Sequence, residues 1–356
     1  MANPMRTEAL HVTSPAPREA WVNLLRSSAD ALAFQTPGWL DCICEIGGYA
    51  DASRLYETSS GRRLVLPMAR RVHVPGALTT EASLPYGWGF GGVVAPDALH
   101  EDEAAGVLAD LAGQPVLRAS VRPNPLVAAT WAAAAPPSII TVSRVAHVLD
   151  LDGGFERVWK DRFVSEARTA VRKAERAALS VECDTSGALV PIFYDLYLRS
   201  IDRWARQGRE PLLIARWRGR RRDPLCKFQL AAQRLGDACR IWVAWLNGQP
   251  AAAIIVLIQG ATASYWRGAM DEDLAGPTRA NNLLHRRAIE DACLAGCRYY
   301  HMGETGSSTA LAQFKSRFGA SAHPYIEYHL ERLPITKVSD RLRRLARRVM
   351  GRLTRL

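Results

Sequence analysis

The chain has no H-E-x-x-H, no G-x-S-x-G and no P-loop segment, which removes the commonest zinc-protease, serine-hydrolase and NTPase readings. It has no long apolar run either. The stretch 250–258 is among its longest and is far shorter than the roughly 20 residues a membrane-crossing helix needs. The first twenty residues hold Pro4, Glu8, Pro15, Pro17 and Glu19 without a continuous apolar core, so they do not read as a secretory signal, and a cytoplasmic location is expected. Cysteine is sparse: Cys42, Cys44, Cys183, Cys226, Cys239, Cys293 and Cys297 make an odd set with no C-x-x-C pair. Cys293 and Cys297 stand four apart on a predicted helix but lack histidines at metal-ligand spacing. Reduced thiols and no metal site are therefore expected. Acidic residues are outnumbered, giving a net charge of +11, which invites a nucleic-acid or anionic-membrane partner. Much of that excess sits in 336–356, where Lys337 and seven arginines face Asp340 alone, so the body is only mildly basic.

What is present is ordinary globular material. With 48% hydrophobic and 23% charged residues, 356 residues suffice for two domains with separate cores. Hydrophobic periodicity predicts helices over 16–33 and 37–47, with Pro37 opening the second, then a hairpin of 53–58 and 63–72. A glycine-rich loop at 84–92, a helix near 100–113, a strand at 115–121, a helix near 125–134 and a strand at 139–151 complete an α/β unit over 1–150. The second half predicts helices over 155–178 and 188–206, an arginine-packed loop or broken helix at 208–224, and a helix near 225–235. A meander of 240–246, 251–258 and 262–270 follows, turned first by Asn247-Gly248. Next come a polar loop at 271–280, a helix from Asn281 to 295, a strand at 299–302, a helix at 308–317 and a strand at 322–330. The similar element order of the two halves makes a duplicated domain the natural reading.

Gly87, Gly89 and Gly92 formally satisfy G-x-G-x-x-G, but no clear helix opens after them, so a dinucleotide site lacks its context. With Tyr86, Trp88 and Phe90 between the glycines, the loop either lines a substrate cleft or is a tight connection without a ligand. Tyr265 and Arg267 alternate on a predicted strand and suit a carboxylate or phosphate, although cross-strand pairing would use them equally well. Arg203 and Trp204 open an arginine-rich stretch that could hold a phosphorylated donor or acceptor, or form a solvated face. Near the C-terminus a strand, polar glycine turn, short helix and aromatic-glycine stop read Tyr299-Tyr300-His301-Met302-Gly303-Glu304-Thr305-Gly306, then Leu311-Ala312-Gln313-Phe314-Lys315-Ser316-Arg317-Phe318-Gly319.

This last stretch resembles the Fem-like branch of the GNAT acyltransferases. The resemblance also draws on Phe34-Gln35-Thr36-Pro37-Gly38-Trp39-Leu40, the basic helix 168–176, and Tyr265-Trp266-Arg267-Gly268-Ala269 followed by Asn281-Asn282-Leu283-Leu284. It covers about 30–330 in element order and implies an α/β fold of two GNAT-like domains, 1–150 and 151–335. Each would carry a mixed sheet flanked by helices, with a basic amphipathic helix over 336–356. It further implies that Lys315 stabilises the charge developing on a carbonyl under attack, with Phe314 beside it in the same motif. Acyl transfer to an amine passes through a tetrahedral oxyanion that needs a positioned donor or cation, so a lysine there makes chemical sense. A solvated face of an amphipathic helix is the plain alternative. Glu304 and His301 are placed for a base or for holding the substrate amine, or else for capping and core packing.

Coenzyme-A-dependent GNAT enzymes hold pyrophosphate on a Q/R-x-x-G-x-G/A turn between a strand and a helix. The only literal match, Gln233-Arg234-Leu235-Gly236-Asp237-Ala238, lies between a helix and a following strand, the wrong order for that geometry. Aminoacyl-tRNA is therefore the expected donor, with arginine clusters at 168–176, 216–222 and 341–355 available to its phosphates, and acyl-CoA the alternative. No tightly bound cofactor is expected. A non-catalytic membrane- or RNA-binding protein is the reading of another class, and it requires that Lys315, Glu304 and Arg267 do not meet in one cleft. The tail from Ser339 places Leu342, Leu345, Val349, Leu353 and Leu356 on one stripe with arginines around it, a pattern suited to the inner face of an anionic membrane or to tRNA.

Overall fold

The structure, a computed structural model, describes residues 10–306, 308–333 and 336. In chain order the first half forms β1 (His11–Thr13), α1 (Arg18–Ser27), α2 (Pro37–Gly47), β2 (Tyr49–Asp51), β3 (Arg54–Glu57), β4 (Arg63–Leu66), β5 (Ala69–Arg71), β6 (Thr80–Ser83), α3 (Glu101–Gly113), β7 (Arg118–Val121), α4 (Ala128–Ala134) and β8 (Ile140–Asp150). The second forms α5 (Gly154–Arg157), which widens into a π turn at Val158–Arg162, α6 (Ser165–Arg176), β9 (Ser180–Asp184), α7 (Val190–Gln207), α8 (Leu212–Arg222) and α9 (Leu225–Leu235). It ends with β10 (Cys239–Leu246), β11 (Gln249–Gln259), β12 (Thr262–Met270), α10 (Glu272–Thr278), α11 (Ala280–Leu294), β13 (Tyr299–Glu304), α12 (Thr309–Arg317) and β14 (Ser321–Glu331).

Among the described residues, eleven strands form one mixed sheet in the order β2-β5-β6-β7-β14-β8-β13-β12-β11-β10-β9, and β1-β3-β4 form a small second sheet. The fold is the expected mixed α/β architecture. Its halves are laced together more tightly than the sequence suggests. The division expected at residue 150 falls at the end of β8, whose neighbours β13 and β14 both come from the second half, and β14 goes on to pair with β7 of the first. The packing crosses the same line. Trp21, Phe34 and Trp39 share a core with Phe193, Phe228 and Trp266.

Local chemistry explains most elements. Thr36 caps α2 by accepting from the Trp39 amide at 3.3 Å, Pro37 occupies its first turn, and Gly48 ends it in the left-handed region at φ 64°. Asn247 and Gly248, at φ 50° and 77°, make the two-residue turn between β10 and β11. β11 is buried continuously from Ala251 to Leu257, as a strand covered on both faces must be.

Several expectations are corrected. The strand expected over 63–72 is two strands in different sheets, because Pro67 lacks the amide a continuous ladder needs. The helix expected over 155–178 breaks where the Val164 amide donates to the Arg317 carbonyl at 3.0 Å, and the short edge strand β9 follows α6. The segment 208–224 contains the helix α8. The polar loop at 271–280 contains α10, with Asp271 accepting from the Asp273 amide at 3.0 Å, and α11 begins at Ala280, so Asn281 is not its cap. The basic tail over 337–356 lies outside the described residues. Among those described, no helix is long and apolar enough to cross a membrane.

Candidate active site

Strands β12 and β13 run parallel but share a ladder only at Thr262↔Tyr299, Ala263↔Tyr300 and Ser264↔His301. Past that point β12 stays with β11 and β13 stays with β8. Parallel strands that part company leave a crevice beyond their paired ends, the usual place for a ligand in an α/β sheet. A cleft of about 340 Å³ occupies it. Met302, Gly303 and Glu304 line it from β13, and Tyr265, Trp266 and Arg267 from β12. A bulge sits in that second wall: Arg267 pairs with Ile255 and Tyr265 with Val256, so Trp266 is the extra residue. It breaks strict alternation and lets three consecutive side chains reach the cleft.

The other parallel pair, β6 and β7, does not open in this way. The Arg122 amide donates to the Ser83 carbonyl and the Gly91 amide to the Arg122 carbonyl, at 2.9 and 2.7 Å. The loop 84–92 thereby fills the divergence with its own backbone. Gly91 is required there, since a Cβ would stand 2.3 Å from the Ser83 carbonyl oxygen. The same loop then crosses to the open cleft and lines it with Tyr86, Gly87, Gly89 and Phe90. Gly89 has φ +90°, and a Cβ on it would stand 2.5 Å from the Phe34 ring.

Helix α12 supplies Leu311 and Lys315. Lys315 is nearly fully buried, and its ammonium donates to the Gly303 and Glu304 carbonyls, each at 2.8 Å. Burial pushes it down to about 7, with Glu304 opposing the shift. The Glu304 carboxylate accepts from the Tyr325 hydroxyl. The cleft thus sets a cation of adjustable charge beside a carboxylate, facing Arg267, Arg222 and Arg122.

Beneath this wall lies a buried charge knot. Asp223 Oδ1 accepts from Lys227 at 2.8 Å and Arg267 at 3.1 Å, and Oδ2 from Tyr197 at 2.8 Å and Arg222 at 2.9 Å. Burial raises the Asp223 carboxyl, but Arg267, Lys227 and Arg222 together hold it well below the ordinary range. Burial lowers Lys227 to about 8 against the pull of Asp223. The Lys227 ammonium sits 3.9 Å from the centre of the Trp88 ring, and Lys227 and Arg267 both donate to the Gly87 carbonyl, at 3.1 and 2.9 Å. The knot therefore fixes the glycine loop of the first half against β12 of the second.

Of the residues singled out from sequence, Lys315, Glu304, Tyr265, Arg267 and Tyr86 line this one cleft. Their convergence removes the feature on which a non-catalytic reading depended. The others lie elsewhere. His301 is buried behind Phe90, its ring nitrogens have no hydrogen-bond partner, and burial depresses it to about 3, so it stays neutral. Trp88 turns inward under Lys227. Phe314 packs on His285 and Phe318 rather than lining the cleft. Arg203 and Trp204 belong to α7, where Arg203 lines a separate depression with Asp271 and Glu272. Phe90, read with its loop as a possible cleft lining, does line it, and Arg222 comes from the arginine cluster offered to the donor's phosphates; sequence reasoning missed Arg122, Asp223 and Lys227. One signal was available: Asp223 is an acid at the end of an arginine run, four residues before a lysine on a helix.

Residues 161–316 match the family model of the acetyltransferase (GNAT) domain. That stretch of the chain is similar to the acetyltransferase domain, and the match supports acyltransferase activity. The matched stretch holds the cleft walls given by β12, β13 and Lys315, while Phe34, Arg122 and the loop 84–92 lie outside it. In overall structure the chain is similar to FemX, with a TM-score of 0.65 at 11% identity, covering 90% of this chain and 97% of that one. It is similar to a conserved protein of unknown function from Bacteroides thetaiotaomicron, with a TM-score of 0.53 at 10% identity over 90% and 98% of the two chains. It also resembles the C-terminal domain of a putative lysylphosphatidylglycerol synthetase from Agrobacterium fabrum, with a TM-score of 0.50 at 14% identity over 88% and 91%. At such identities the likeness is one of fold. No curated protein matches the chain in sequence. Among the described residues, no group of His, Cys, Asp or Glu could hold a metal ion.

Proposed function

We propose that this acyltransferase moves an aminoacyl group from aminoacyl-tRNA to an amine, with Lys315 as the oxyanion-stabilising cation and Glu304 as the base. The observation that carries the chemistry is the meeting of Lys315 and Glu304 on one wall of a cleft whose other wall holds Tyr265 and Arg267. The acceptor nitrogen attacks the acyl carbonyl and gives up its proton to Glu304. The carbonyl oxygen becomes an oxyanion beside the Lys315 ammonium; the tetrahedral intermediate then collapses to the amide as the C–O bond to the donor breaks, and the leaving oxygen takes the proton from Glu304.

The donor assignment rests on the turn after β12, where a strand-to-helix connection would cradle a pyrophosphate. Here it reads Met270-Asp271-Glu272-Asp273, so three carboxylates occupy the start of α10, a position that repels phosphate. The literal Q-x-x-G-x-A segment lies instead at the end of α9, away from the cleft-lining residues. Acyl-CoA is the second reading, favoured by the acetyltransferase family match. Labelled aminoacyl-tRNA and labelled acetyl-CoA, offered in parallel with candidate amines, separate the two. Label transfer that is abolished by RNase supports the first, and transfer from acetyl-CoA alone overturns it. For the segment 337–356 we propose contact with an anionic membrane or the tRNA donor, read by deleting it and measuring both affinities. We also propose that 1–150 and 151–335 are two GNAT-like units of which only the second keeps its crevice open.

A further inference from the structure

Helix α8 packs with its smallest residues inward. Ala215 and Gly219 are its buried residues, and a Cβ on Gly219 would stand 2.4 Å from Ile201 Cδ1 on α7. This close approach leaves the large apolar side chains outside: Leu213 is 81% exposed, Trp217 61% and Ile214 54%. Leu212, and Trp204 near the end of α7, are exposed as well. A surface helix of a globular protein ordinarily shows the reverse arrangement. Cations surround the apolar group, with eight arginines against Glu210 alone over 203–222. Arg216 and Arg218 are tied to Asp202 and Glu210. Among the described residues Arg220 and Arg221 pair with no carboxylate, and the Arg221 guanidinium lies 5.3 Å from the centre of the Trp217 ring.

We propose that α8 docks the protein on an anionic lipid surface. Leu213, Ile214 and Trp217 enter the boundary between headgroups and acyl chains, and Arg220 and Arg221 meet lipid phosphates. Charge complementarity selects an anionic surface. The exposed leucine and isoleucine select lipid over RNA, which would use the arginines and leave those side chains in water. Arg222, the last residue of α8, lines the catalytic cleft, so docking holds that cleft beside the membrane whichever acyl donor it takes.

The test is sedimentation of the full chain with vesicles of phosphatidylglycerol and phosphatidylcholine in equal parts, and with phosphatidylcholine alone. The wild-type protein is expected to bind the anionic vesicles preferentially. The Leu213→Ser/Trp217→Ser double variant should lose about tenfold or more in partitioning, and Arg220→Ala/Arg221→Ala should lose most of the preference for anionic lipid. Each variant should keep the wild-type thermal transition, since the altered side chains are exposed. Every protein compared carries the segment 337–356, so the difference reads α8 alone. Unchanged vesicle binding by Leu213→Ser/Trp217→Ser overturns the proposal. So does loss of tRNA affinity with vesicle binding intact, or a wild-type dimer that the same substitutions dissociate.

Discussion

Lys315 has three donors and spends two on the Gly303 and Glu304 carbonyls, which leaves one for whatever enters the cleft. If the ammonium stabilises an oxyanion, Lys315→Ala lowers kcat by about two to three orders of magnitude with folding intact. Lys315→Arg rescues only part of it, because a planar guanidinium does not occupy the same point. Steady-state kinetics with the identified donor decide this, and an unchanged kcat in the alanine variant removes Lys315 from the chemistry. The pH dependence has a definite sign. Only the protonated lysine can act as the cation, and burial has brought it down to about 7, so its contribution to kcat falls as pH rises through that value. Stability moves the other way. Between about 7 and the ordinary value of 10.5 the unfolded chain holds a proton on Lys315 that the folded chain has lost, so this group makes folding more favourable as pH rises. Melting temperatures across that window, compared with Lys315→Met, should show a steeper climb in the wild type. Asp223 is the opposite case. Its depressed carboxyl stabilises the fold above its ordinary value of 3.8, and that contribution fades as pH falls below it. Asp223→Asn strands Lys227, Arg222 and Arg267 without their shared counter-charge and is expected to cost about 3–5 kcal/mol in urea unfolding.

At the scale of elements, the decisive piece is the loop 84–92. It closes the divergence of β6 and β7, then reaches the opening between β12 and β13, where the Gly87 carbonyl receives Lys227 and Arg267. Gly89→Ala places a side chain at φ +90° and against the Phe34 ring, and should destabilise the protein by about 1–3 kcal/mol. The loop must move to relieve that clash, so the variant should also raise KM more than it lowers kcat. A KM equal to the wild type's would show that the loop does not shape the site. The acidic start of α10 belongs to the same scale, because it distinguishes this turn from a phosphate cradle through side chains rather than backbone.

For the whole molecule, the eleven-stranded sheet runs through both halves, and one hydrophobic cluster is built from both, beside others that belong to one half each. Trp39 stacks edge-on against Trp266 with ring centres 4.9 Å apart, and the two residues belong to opposite halves of the sequence. Strand β14, last in the described chain, inserts between β7 and β8 of the first half. Unfolding is therefore expected to be a single cooperative transition, with tryptophan fluorescence and far-UV circular dichroism coinciding. Two resolved transitions would mean that the halves fold as independent domains.

Periodicity, turn chemistry and capping signals were enough to place most helices and strands, because Thr36-Pro37, Asn247-Gly248 and the buried run of β11 act through their immediate neighbours. The motif around Lys315 and the aromatic-arginine strand were legible for the same reason: each is a short local pattern. The bulge at Trp266, the break at Pro67 and the charge knot at Asp223 were settled only in three dimensions. Arg122 and Arg267 lie far in the chain from Arg222 and Lys227, and strand order rather than spacing brings them together. Tertiary structure also decided which residues the chemistry can use. Burial neutralises His301 and turns Trp88 away, while the parting of β12 from β13 opens the one crevice where Lys315, Glu304, Tyr265 and Arg267 meet.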